Sequence, residues 1–67
     1  MARYNTYYKI EDETVIVAYD NTRKDAVEIA NLYYVNSFAI QTPNGSRMTA
    51  VGVMNSNTGK IYRELPL

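Results

Sequence analysis

The chain has 67 residues, seven Lys and Arg against seven Asp and Glu, and no His, Cys or Trp. Ordering a chain this short costs on the order of 100 kcal/mol, which a core of this size roughly cancels, so small domains lean on disulfides, a metal or a second chain. Without Cys or His, disulfides, structural zinc and His-based triads are excluded, and zero net charge gives no bulk attraction to nucleic acid or anionic lipid.

Tyr4 to Ile10 is rich in β-formers, with Tyr8 and Ile10 on one face and Tyr7 on the other. Thr14 to Tyr19 is almost entirely apolar and β-branched, as a central strand buried on both faces would be. The two runs predict a hairpin. The acidic Glu11-Asp12-Glu13 between them lacks the Gly or Asn that a tight primed turn prefers.

Thr22 is the expected helix N-cap, with Asp25 completing a shortened capping box. At about 100° per residue, Ala26, Val27, Ile29, Ala30, Tyr33 and Tyr34 share one arc, which predicts an amphipathic helix over 23–34. Ile29 and Val17 are expected to meet in the core. Leu32 lies off the apolar arc and is either an exposed contact, with Tyr33 and Tyr34 beside it, or covered by the loop that follows, which is the expectation.

Ser37 to Thr42 reads as a strand with Phe38 and Ile40 on one face, ending at the turn Pro43-Asn44-Gly45. Arg47 to Met54 places Met48, Ala50 and Met54 opposite Val51 and Val53. After the polar turn Asn55 to Gly59, Lys60 to Leu65 forms a last strand. The expectation is a single α+β domain over 1–67: an antiparallel sheet of four to five strands with one helix, in the order β-β-α-β-β-β. Such a sheet has edges open to pairing with another chain, and a homodimer would supply the support the core lacks. No apolar run is long enough to span a bilayer and no leader-like segment opens the chain, so a cytoplasmic protein without a membrane role is expected.

Seven of the eight aromatics are Tyr. Tyr residues suit half-buried strands, and Tyr and Arg are enriched in protein-binding hot spots. Tyr7, Tyr8, Tyr62 and Arg63, with the acidic Glu11, Asp12 and Glu13, are therefore the expected protein contacts, the acids suiting a basic groove on a partner. The alternative is a nucleic-acid-binding module using Tyr7, Lys9, Arg47, Lys60 and Arg63, in which strand aromatics stack bases and cations hold phosphates. Three adjacent carboxylates lack the spacing of a calcium loop, and no nucleophile or paired-acid motif is present. No catalytic residue, metal or cofactor is expected.

The cadence Val15-Ile16-Val17, Lys24 to Ala30, Phe38-Ala39-Ile40, Asn44-Gly45 and Gly59-Lys60-Ile61-Tyr62 resembles small bacteriophage anti-defence inhibitors. It is nearest to an anti-CRISPR type in which a five-stranded sheet curls around one helix. Thr22 to Thr42 is also similar to a strand–helix–strand phage inhibitor of bacterial RNA polymerase. The likeness lies in pattern and transfers no residue roles. It implies a non-enzymatic protein, in the cytoplasm of a bacterial host, that blocks a CRISPR effector or another nucleic-acid-handling complex. A third reading is a protein that shields a nucleotide signal inside an oligomer.

Overall fold

The computed structural model describes residues 2–67 and has the α+β architecture, with a four-stranded antiparallel sheet and one helix. Strands β1 (Tyr4–Ile10) and β2 (Glu13–Asn21) form the first hairpin, and α1 (Arg23–Val35) then crosses one face of the sheet. A 3₁₀ turn over Ser37–Ala39 leads to the second hairpin, β3 (Met48–Asn55) and β4 (Ile61–Pro66). The spatial order is β2-β1-β3-β4.

That order corrects the reading of Thr14 to Tyr19 as the central strand. β2 is an edge, half-buried from Val15 to Ala18, while the more polar β1 lies between β2 and β3. Two side-chain bonds allow polar residues at the centre. The buried Thr6 hydroxyl donates to the Ala26 carbonyl at 2.8 Å, and buried Asn5 accepts the Asp20 N–H at 2.9 Å. A buried polar group costs little once it is paired.

Both edges carry features that disfavour pairing with another strand. Register shifts opposite Tyr4 to Tyr7 give β2 two extra residues, and Asp20 turns left-handed at φ 54°. Bulges of this kind twist an edge away from pairing. At the other edge, β4 carries Arg63, Glu64 and the donor-free Pro66.

The helix begins as expected, with the Asp25 N–H donating to the Thr22 hydroxyl at 3.2 Å. Its contact with the sheet is built on small residues. Ala26 and Ala30 are buried with Ile10, Met48, Val51 and Val53, and Tyr4, Tyr8, Val15, Val27, Tyr33 and Ile40 pack around them. Two alanines bring the helix axis close enough for Thr6 to reach a helix carbonyl. Ile29 and Val17 are only half-buried and lie outside this cluster, which corrects their expected place at its centre.

Ser37 to Thr42 is not a strand. Asn36 ends the helix, its backbone N–H and its side-chain amide both donating to the Leu32 carbonyl at 3.1 and 2.8 Å. Short-range bonds from Ala39 to Asn36 and from Ile40 to Ser37 then satisfy the backbone locally. Only Gln41 bridges to Arg47, around a turn whose Gly45 holds φ 86°. Because the chain turns away at Asn36, Leu32 is left 61% exposed rather than covered.

The hairpin tip is tighter than the sequence suggests. Ile10 pairs directly with Glu13, so Glu11 and Asp12 alone form the turn, at φ 51° and 64°. Two consecutive left-handed residues make a primed turn.

Candidate functional site: two ends of opposite chemistry

β1 runs about 20 Å from Tyr4 to Ile10, and α1 lies along it, Ala26 over Thr6 and Tyr33 stacked on Tyr8 at 6.1 Å. Both hairpins also run along this axis, so the loops collect at two ends of a molecule 40 Å long.

One end gathers the first hairpin tip, the turn at residues 43–46 and the end of the helix. The Ser46 hydroxyl donates to Glu11 at 3.0 Å, and the Arg47 guanidinium donates to the Phe38 carbonyl at 2.7 Å. These contacts set the exposed carboxylates of Glu11, Asp12 and Glu13 on the same end as an apolar surface. Leu32, Val35 and Phe38 are 61%, 65% and 70% exposed there. A cleft of about 270 Å³ opens beside them, lined by Leu32, Tyr33, Asn36, Ala39 and Ile40. Of the nearest described cations, Arg47 is held on the Phe38 carbonyl and Lys9 on Glu64.

The other end gathers the start of β1, the helix N-terminus and the turn between β3 and β4. Tyr62 is 44% exposed and meets Tyr4 edge-on at 5.8 Å. The guanidinium groups of Arg23 and Arg63 lie 5.3 and 5.9 Å from the centre of the Tyr62 ring. Arg3, whose carbonyl accepts the Ser56 N–H, Lys24 and the exposed Lys60 lie at this end too, against Asp20 and Asp25.

The sheet face away from the helix is a polar clasp. The Tyr7 ring lies across Gly52, where a Cβ would collide with the phenol and with the Arg63 carbonyl. Its hydroxyl donates to Glu64 Oε1 at 2.6 Å, and Lys9 Nζ sits 3.1 Å from the same oxygen. Burial, then the bond to Glu64, pushes the Tyr7 phenol well above its ordinary range. The Tyr7 hydrogen bond, then that of Lys9, holds the Glu64 carboxyl below its usual value. Shifts in these directions keep the phenol protonated and the carboxylate ionised, which tie β1 to β4 and prepare neither group as a base or nucleophile.

The expected contact residues therefore divide among four places. Tyr7 and Lys9 belong to the clasp, Tyr7 being 1% exposed. Tyr8 lies on the helix face against Tyr33. Glu11, Asp12, Glu13 and Arg47 stand at the acidic end, and Tyr62, Arg63 and Lys60 at the basic end. Val35, Phe38, Tyr4 and Arg23 join these ends without having been singled out as contacts, and so does Leu32, whose reading as an exposed contact ranks second to burial in the sequence. Arg23 reaches this end because two bulges in β2 set Asn21 opposite Tyr4, a register that no sequence pattern marks. Among the described residues no group of three or more carboxylates converges as a metal site, and no helix is long and apolar enough to cross a membrane. No family model matches the chain, and no curated protein or solved structure is significantly similar to it.

Proposed function

We propose that the chain is a non-enzymatic inhibitor that binds a host nucleic-acid-handling complex and blocks it sterically, docking through its acidic, apolar end. The single observation that carries this reading is the juxtaposition of Glu11, Asp12 and Glu13 with the exposed Leu32, Val35 and Phe38. Contiguous exposed apolar surface on a small domain marks an interaction site. A rim of carboxylates beside it selects a basic partner, and a surface that binds nucleic acid is basic by necessity. The resemblance to phage anti-defence proteins supports the same reading and favours a CRISPR effector or a similar machine in the bacterial cytoplasm.

On this reading the anchors are Leu32 and Phe38 rather than Tyr7 and Tyr8, whose rings are engaged within the fold. Immobilised protein should capture a discrete complex from nuclease-treated bacterial lysate. Leu32→Asp with Phe38→Asp should abolish capture while leaving the circular dichroism spectrum unchanged, since both side chains are exposed. Replacing Glu11, Asp12 and Glu13 together with Ala should chiefly slow association. Capture that persists unchanged in both variants would overturn the proposal.

A further inference from the structure

We propose that the opposite end binds single-stranded nucleic acid, one nucleotide seating in the cleft lined by Tyr4 and Tyr62 with phosphates on Arg23, Lys60 and Arg63. The inference is independent of the docking end and uses none of its residues.

Three observations converge on it. The first is electrostatic. Arg23 and Arg63 both lie within 6 Å of the Tyr62 ring centre, and among the described residues no carboxylate reaches ion-pair distance of either, or of Lys60. Cations without a carboxylate partner are free to hold an anion, an attraction that salt screens over about 10 Å.

The second is shape. A cleft of about 230 Å³ opens beside the cations, lined by Tyr4, Asn55, Thr58, Lys60, Ile61 and Tyr62. Ligand pockets for larger molecules run from about 300 to 1,000 Å³. This one admits a single ring or a sugar, and it is open enough for a chain to continue on either side.

The third is the kind of surface presented. Bases stack on tyrosine rings and equally on guanidinium planes, and here the two are layered together around Tyr62. An acidic peptide would use the cations and leave the rings idle. A nucleotide uses both.

The turn that carries the cleft is built to hold its shape. The Asn55 side chain accepts the N–H groups of Asn57 and Thr58 at 2.8 and 3.1 Å, and the Thr58 hydroxyl accepts that of Lys60 at 3.2 Å. Lys60 therefore leaves a hydrogen-bonded turn at the side of the cleft.

The test is fluorescence anisotropy with a labelled oligothymidylate of about ten nucleotides, inside the range of single-strand site sizes. Three phosphate contacts predict a slope near −2 for log K against log salt, at about −0.7 per phosphate. Arg23→Ala with Arg63→Ala should reduce the slope to about −0.7 and weaken binding at least tenfold at about 50 mM salt. Tyr62→Ala should weaken binding, and Tyr62→Phe, which keeps the ring, should restore it. Replacing Glu11, Asp12 and Glu13 with Ala should leave the slope unchanged, so failure here and failure of the docking reading are distinct results. The proposal is overturned by absence of binding at about 50 mM salt, by a slope indifferent to the arginine pair, or by oligoglutamate binding as tightly as the oligonucleotide.

Discussion

Glu11 and Asp12 occupy the two left-handed positions of the hairpin turn, at φ 51° and 64°. Such a turn prefers Asn followed by Gly, because a side chain with a Cβ is strained there. The acids are thus placed against the local preference of the backbone, at the end where their charge would meet a partner. Glu11→Asn with Asp12→Gly should raise stability by about 1 kcal/mol, or roughly 4–8 °C in Tm for a domain of this size. The same variant should associate more slowly with the captured complex. This turn was not legible in the sequence, because its residues lack the chemistry that normally marks it.

A second residue-scale effect concerns pH. Glu64 has a depressed pKa in the folded state, so its contribution is present above the ordinary carboxylate range and is lost as pH falls through the folded value. Tyr7 has a raised pKa, so its contribution is complete below the ordinary phenol value of 10.0 and is lost as pH rises beyond it. Tyr7→Phe removes the shared hydrogen bond. Thermal melts across pH should then show a flatter loss of stability on both the acid and the alkaline side than in the parent. Equal pH profiles would show that the clasp does not couple to folding.

At the scale of elements, the helix was legible almost entirely. Its cap, its length and its apolar arc all follow from Thr22 to Tyr34. Which residues of that arc meet the sheet was not legible, because size decided it rather than hydrophobicity. Ala30→Leu should overpack the contact with β1 and β3 and cost about 1–3 kcal/mol. Ile29→Ala, at a half-buried position, should cost about 1 kcal/mol, the centre of the range for point substitutions in general. Urea unfolding of both variants would check the order, and a larger loss for Ile29→Ala would return that residue to the centre of the core. The central strand was misread for a related reason. Apolar content pointed to β2, whereas Asn5 and Thr6 earn β1 its place through bonds that no sequence pattern reveals. Ser37 to Thr42 read as a strand because Phe38 and Ile40 alternate, while the cap at Asn36 sends the chain into a 3₁₀ turn and leaves Phe38 outside.

At the scale of the whole molecule, zero net charge conceals a partial separation. Glu11, Asp12 and Glu13 stand with the exposed Leu32, Val35 and Phe38 at one end. Arg23, Lys60 and Arg63 stand with Tyr4 and Tyr62 at the other, partly offset by Asp20 and Asp25, across a body 40 Å long. The charged halves of this arrangement were partly legible, since Glu11 to Glu13 and Lys60 to Arg63 were each marked as contacts. The apolar half was legible only in the second reading of Leu32, because the exposure of Val35 and Phe38 depends on where the helix stops. The most direct measurement replaces Phe38, and separately Lys60, with a photo-crosslinking phenylalanine analogue and irradiates each protein in nuclease-treated bacterial lysate. Docking through the acidic, apolar end predicts a discrete protein adduct from position 38 and none from position 60. Adducts from position 60 alone, or from neither position, would contradict it.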